Sequence, residues 1–465
     1  MSRQQAAFDL VVVGSGPAGQ QAAMTAAQAG RTVALVERKP RLGGVGLHTG
    51  TIPSKALREA AYAVAVAGRS GMRQALEVGV RRPHAMLLDA IRKKEDVINQ
   101  QESVLLNRLM KSGVALIPGE ASFLDPHTLE VCAPNGERRR LQAASVVLAT
   151  GSRPRRPRQV PFDRVSVHDS TSILRMTRLP HRLLVVGGGV IACEFASIYA
   201  ALGVEVTMID HHRRLLSWLS EDMVAALSEA MAAMGVGFRM ERAVVEIRRD
   251  GGRVAALLDD GSEEEGDCLL YAMGRMPNIE SLKVARAGIV LDDHGWIAVD
   301  DHFRTSVPHI YAVGDLIGKP ALASAALEQG RVAACHALGD VRAGTLSELP
   351  MAIYTIPEVS SIGETEEELR AEGVDFVTGY GRYSESARGK IIGDYRGMVK
   401  LNVARADRRL LGVHIVGESA GELIHIGQLV RSYHGVVDDL VRNVFNYPTL
   451  AECYRLAALD CLARL

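Results

Sequence analysis

A glycine-rich turn between a valine-rich strand and an alanine-rich helix occurs twice in this chain, and nothing else in the sequence restricts the fold as strongly. Phe8-Asp9-Leu10-Val11-Val12-Val13 is an apolar run of the kind buried on both faces of a parallel sheet. Gly14-Ser15-Gly16-Pro17-Ala18-Gly19 follows, then a helix to about Ala29 and a strand from Thr32 to Val36 that ends in Glu37. This is a complete dinucleotide fingerprint. Gly14 makes the turn, Gly16 lets backbone approach a pyrophosphate, Gly19 packs helix on strand, and Glu37 can accept from two ribose hydroxyls.

The second copy opens with Leu183-Leu184-Val185-Val186 and turns at Gly187-Gly188-Gly189. Ala192 stands at the third glycine position, still small enough for helix-to-strand packing, and Cys193-Glu194 continue the helix. Its second strand, Val204 to Ile209, ends in Asp210, where an acid favours the free 2′-hydroxyl of NAD(H). His211, His212, Arg213 and Arg214 come next, and an arginine there accommodates the 2′-phosphate of NADP(H). Two readings of the arginines stay open, as phosphate ligands or as solvent-facing loop charges, so the sequence leaves NAD against NADP undecided. The expectation is an α/β chain with two Rossmann-like dinucleotide-binding domains.

At 465 residues the chain has room for about three domains. Lys plus Arg and Asp plus Glu each total 54, which points to neither nucleic acid nor an anionic membrane as partner. The six cysteines show no CxxC or five-residue spacing and read as buried, reduced thiols, with no metal site implied. No apolar run approaches the roughly 20 residues of a membrane span, and the N-terminus lacks the core of a signal peptide. A cytoplasmic protein is expected.

Between the fingerprints, Gly43 to Leu57 begins glycine-rich and ends in Thr51-Ile52-Pro53-Ser54-Lys55-Ala56-Leu57, a helix carrying a lysine. Ala56 to about Met110 reads as helical, with Arg92-Lys93-Lys94-Glu95 on a solvated face. Strands follow from Val114 to Ile117, leading to Gly119, and from Ser145 to Ala149, ending at Thr150-Gly151. Arg153-Pro154-Arg155-Arg156-Pro157-Arg158 reads as a solvated linker. Cys268 to Ala272 is a strand before Met273-Gly274-Arg275-Met276-Pro277-Asn278, and Thr305 to Asp315 is a strand ending in an acid after Gly314. A helix runs from about Ala321 to Leu338, and from Pro350 strands alternate with helices.

These segments together resemble the flavoprotein disulfide reductases over essentially the whole chain. The resemblance implies FAD, held non-covalently by the first fingerprint, by Gly44, Gly50 and Thr51, by Gly119 and Thr150-Gly151, and by Gly314-Asp315. It implies a nicotinamide nucleotide at Gly187, Gly189, Ala192, Glu194 and Gly274, and a Lys55–Glu194 ion pair beside the flavin, read either as catalytic or as a plain interdomain salt bridge. The implied domains are 1–153 and 281–347 for FAD, 154–280 for NAD(P) and 348–465 for dimerisation, so a homodimer or higher homo-oligomer is expected.

Two departures from that family define the chemistry. Its two redox cysteines, five positions apart, correspond here to Gly46 and Thr51, and the histidine before its Pro-Thr-x-x-Glu stretch corresponds to Tyr447. Thr51 then packs or donates a hydroxyl, and electrons must leave for a second nicotinamide, a quinone or dye, or oxygen. The stretches Gly50 to Arg58 and Phe445 to Thr449 resemble the soluble pyridine nucleotide transhydrogenase branch, although that branch usually keeps a cysteine at position 46. The alternatives are an NAD(P)H:quinone oxidoreductase or oxidase, and a flavin-based NAD(P)H sensor.

Overall fold

Strands and helices alternate from the start of the computed structural model, which describes residues 5–69, 83–340, 344, 346 and 348–465. The chain divides into two compact units. One comprises Met1–Ser54, Arg92–Arg155 and Gly274–Ser347; the other comprises Lys55–Ile91, Arg156–Met273 and Glu348–Leu465.

In the first unit a parallel sheet runs in the order Ala115–Pro118, Val33–Glu37, Gln5–Val13, Arg138–Leu148 and Ile310–Ala312. The strand Arg138–Leu148 also pairs antiparallel, through its first half, with Thr128–Cys132. Strand order therefore reverses between Gln5–Val13 and Arg138–Leu148, the place where an open α/β sheet leaves a crevice at its carboxyl edge. Leu10, Val11 and Val12 are fully buried, as a strand covered on both faces requires. The helices Pro17–Gln28 and Ala323–Ala337 pack so closely that a Cβ on Gly330 would lie 2.1 Å from the Ala18 carbonyl oxygen.

The second unit repeats the plan. Val236–Met240, Glu205–Asp210, Arg182–Val186, Cys268–Tyr271 and Val167–His168 form a parallel sheet, with an antiparallel meander of Val244–Asp250, Arg253–Leu258 and Glu263–Gly266. Its C-terminal part is a five-stranded antiparallel sheet ordered Met351–Ile353, Glu358–Gly363, Leu410–Gly417, Met398–Ala404 and Phe376–Arg382. The helices Ala420–Ser432 and Glu452–Leu462 pack against this sheet.

Three expectations need correction. Lys94 is buried rather than solvated, and pairs with Glu95. The run Arg153 to Arg158 is no free linker: Arg153 binds Glu280 and the Pro277 carbonyl, and Arg156 binds the buried Asp169. Asp315 lies beyond the strand Ile310–Ala312, in the first turn of the short 3-10 helix Gly314–Ile317.

His414 is buried on the central strand of the antiparallel sheet, with Nδ1 against Ser361 Oγ and Nε2 against the Glu364 carbonyl. Burial first, then the Lys400 charge, pushes its pKa from the ordinary 6.5 down to about 4. The unfolded chain therefore takes up this proton before the folded one. Stability should fall as pH drops from 6.5 toward 4, by about 3 kcal/mol from this residue. Denaturant unfolding at pH 7 and pH 4.5 checks it, and His414→Gln should lose less stability than the parent over that interval.

Candidate active site

The crevice at the carboxyl edge of the first unit encloses about 1080 Å³ of non-atom space, part of it open to solvent. Most residues singled out in the sequence for FAD meet here: Gly14, Gly16, Glu37, Gly44, Thr51, Gly119, Thr150, Gly151, Gly314 and Asp315 all line it, with Gly46. Gly14 needs its freedom, since it has φ +104° and a Cβ would fall 2.4 Å from the Ala149 carbonyl oxygen. Gly19 and Gly50 act by packing instead, the first because a Cβ would lie 1.8 Å from the Gly14 oxygen. Gly44, at φ +60°, brings its own turn against Gly16, where a Cβ would sit 2.8 Å from Gly16 Cα.

Glu37 is held by three donors. Its Oε2 accepts from the Ser15 amide at 2.9 Å and Ser15 Oγ at 2.7 Å, and its Oε1 accepts from the Lys39 amide. Asp315 Oδ2 accepts from Ser152 Oγ at 2.8 Å, which in turn accepts from Arg275 Nε at 2.7 Å. The Arg275 guanidinium is itself 3.6 Å from the carboxylate. Among the described residues, no protein group donates to Asp315 Oδ1, which leaves one charged oxygen for a ligand. Ala323 and Ala326, from the first turn of the helix Ala323–Ala337, line the same crevice and direct the positive end of that helix into it. Ser152, Arg275 and Asn278 were missed as site residues, because only the pairing of Ser152–Pro154 with Arg275–Pro277 brings them together.

In the second unit Gly187 turns at φ +124°, with the Ala272 carbonyl where a Cβ would go. Gly189 caps the helix Val190–Ala201 and has open space in front of it, so its backbone is approachable. Ala192 is buried and, unlike Gly19, accommodates its methyl group. Asp210 ends its strand buried beside Gly188, and its Oδ1 accepts from the His212 amide at 2.8 Å and lies 2.7 Å from His212 Nδ1. Arg213 is 82% exposed and only loosely paired with Glu221, whereas Arg214 donates to the Ser217 carbonyl. Gly274 falls in the first unit, its carbonyl accepting from the Arg155 amide.

Lys55 follows Thr51 by one turn along the helix Thr51–Arg69 and belongs to the second unit. There Nζ meets both carboxylate oxygens of Glu194, at 2.8 and 2.9 Å, and sits 4.8 Å from the centre of the Tyr354 ring. Glu194 also accepts from the Tyr354 amide at 3.0 Å. The pair is largely buried, with Glu194 at 7% side-chain exposure and Lys55 at 25%.

Among the described residues, no cysteine lines the crevice of the first unit. Positions 46 and 51 are Gly and Thr, and all six cysteines are free thiols. Burial pushes the thiols of Cys268 and Cys453 up to about 11 and Cys461 up to about 12, and holds Cys193 higher still. Cys132, however, is exposed, contrary to the expectation of buried thiols throughout. Tyr447 is exposed at 74% before Pro448.

Residues 8–330 match the pyridine nucleotide-disulphide oxidoreductase family, and residues 349–458 match the dimerisation domain of the same family. The chain belongs to this family. It is an α/β oxidoreductase of FAD and pyridine nucleotides, and FAD fits the crevice just described: its lining offers a glycine cradle, the Glu37 carboxylate and a carboxylate oxygen on Asp315 without a protein donor among the described residues. The soluble pyridine nucleotide transhydrogenase of Mycobacterium bovis BCG Pasteur is 42% identical over 462 residues, 98% of each chain. That of Pectobacterium atrosepticum is 39% identical over 462 residues, also 98% of each chain. Among solved structures, the Cu(II) complex of the HOCl-induced flavoprotein disulfide reductase RclA from Escherichia coli superposes with a TM-score of 0.88 at 26% identity, covering 99% of each chain. LpdA from Mycobacterium tuberculosis also gives 0.88, at 27% identity, covering 98% of this chain and 99% of its own. Among the described residues no helix is long and apolar enough to cross a membrane.

Proposed function

We propose that this member of the family is a soluble NAD(P) transhydrogenase, exchanging hydride between NADPH and NAD in a ping-pong cycle. The observation that carries the reading is Gly46 with Thr51: both line the crevice, and neither can pass electrons to a disulfide. FAD, when bound, supplies the hydride acceptor and donor. The chain's own residues bind and orient. Gly187 and Gly189 present backbone to the nucleotide, and Lys55 with Glu194 holds a fixed charge pair at the helix Val190–Ala201. The segments 1–153 and 281–347 serve FAD, 154–280 serves the nicotinamide nucleotide, and 348–465 joins two copies in the cytoplasm. A second copy would cover Tyr433, Val444 and Tyr447, which stand at 81%, 96% and 74% exposure.

Initial rates with NADPH and an NAD analogue, both varied, test the assignment. Parallel double-reciprocal lines are expected, with turnover exceeding that on quinone or oxygen, no reduction of glutathione or lipoamide, and an unchanged thiol count after NADPH. Turnover confined to quinone or oxygen would replace this reading with an oxidoreductase of those acceptors.

Nucleotide preference should divide across the loop after Asp210. Asp210 favours NAD through its ribose, and Arg213, the less engaged arginine, favours NADP through a charge-assisted contact worth about 1.5–3 kcal/mol. Replacing Arg213 and Arg214 together by Ala should lower kcat/KM for NADPH by about tenfold or more and leave NADH nearly unchanged. Equal losses for both nucleotides would take the discrimination away from this loop.

A further inference from the structure

Among the described residues, one group of side chains has ligand atoms close enough to hold a metal ion: Asp210, His211 and His212. Asp210 Oδ1 lies 2.7 Å from His212 Nδ1 and 3.6 Å from His211 Nδ1, and all three ligand atoms are within 4.8 Å of one another. Tetrahedral zinc with bonds of about 2.0–2.1 Å places its ligand atoms roughly 3.4 Å apart, a spacing these distances bracket. Two imidazole donors beside a single carboxylate suit Zn²⁺, Ni²⁺ and Cu²⁺ rather than Mg²⁺ or Ca²⁺, which take oxygen ligands.

The backbone presenting these donors is pinned from several sides. The His212 amide closes a turn on Asp210 Oδ1, the Glu241 amide donates to the His212 carbonyl, and the Arg242 amide donates to the Asp210 carbonyl. Neighbouring cations point elsewhere. Arg213 faces Glu221, Arg214 binds the Ser217 carbonyl, and Arg242 pairs with Asp260 at 2.6 Å. Both imidazoles are more than half exposed, so an ion can enter from solvent and keep water in its fourth position.

We propose that Asp210, His211 and His212 form a transition-metal site of the Zn²⁺ class whose occupancy excludes the nicotinamide nucleotide. A Cβ on Gly188 would fall 3.1 Å from Asp210 Cγ, so the metal-bound carboxylate abuts the nucleotide turn itself. Metal and ribose then compete for one acid. The competition rests on the reading of Asp210 as the ribose acceptor; the metal site does not.

Calorimetric titration of the FAD-loaded full chain with ZnCl₂ should show one ion bound per chain, and saturation with NADH should suppress it. Zn²⁺ should raise the apparent KM for NADH without lowering kcat. His211→Asn with His212→Asn should weaken Zn²⁺, titrated into the nucleotide-free FAD-loaded chain, by more than the about 10- to 100-fold that losing an outer partner of a metal ligand costs. Absence of binding to the parent, or equal binding to the double variant, overturns the site. Zn²⁺ and NADH bound together would overturn the competition. The transhydrogenase assignment is judged separately, by the metal-free kinetic pattern.

Discussion

Asp315→Ala should purify as a folded protein that has lost its yellow colour. The fold gives up the acceptor of the Ser152 hydroxyl and a 3.6 Å approach to Arg275, and keeps the rest of the cluster: Ser152 Oγ still accepts from Arg275 Nε, and Arg275 still donates to the Ser152 carbonyl. What disappears is the acceptor that lines the crevice with Oδ1 unused by protein. A hydrogen bond to a charged group is worth about 1.5–3 kcal/mol, so each one lost should weaken FAD by about 10- to 100-fold. Asp315→Asn keeps shape and one acceptor and should retain more flavin than Ala. The ratio of flavin absorbance to protein after dialysis measures the effect, with circular dichroism as control for folding. Full flavin content in Asp315→Ala would remove this residue from the site.

Sequence and structure agree best where backbone must touch backbone. Gly14 and Gly19 are legible because a side chain at either position would strike the Ala149 or Gly14 carbonyl, and no other residue solves that problem. Strand ends at Glu37 and Asp210 are legible for a related reason: a buried valine-rich run must stop at the acid. Contacts between distant segments carry no such local mark. Ser152 and Arg275 meet only through pairing of strands 123 residues apart, and Lys400 is buried against Asp222 and Glu366 from two other segments. The meander Val244 to Gly266 escapes notice because its strands are rich in charge. Arg248 pairs with Glu263 on its outer face, while Ile247, Val254, Ala256 and Leu258 point inward. His212 closing on Asp210 is likewise invisible in a row of basic residues, where the histidine reads as one more loop charge.

The second large effect concerns Lys55 and Glu194, where a catalytic role and a structural one predict different results. Lys55→Met leaves a carboxylate at 7% exposure with the Tyr354 amide as its remaining donor. Breaking a buried pair on one side costs about 3–5 kcal/mol, and because Lys55 is a quarter exposed the loss should fall at the low end. Removing the stranded charge as well, with Glu194→Gln, should restore most of the stability, since a neutral pair of similar volume has little desolvation cost to meet. Catalysis should not return with it. If Lys55 supplies positive charge where hydride transfer builds negative charge, both the single and the double variant should turn over about 100-fold more slowly in kcat, with nucleotide KM changed far less. Unfolding midpoints and kcat measured on the parent, both single variants and the double variant separate the cases. Recovery of kcat together with stability in the double variant would make the pair a fastening between helices and nothing more.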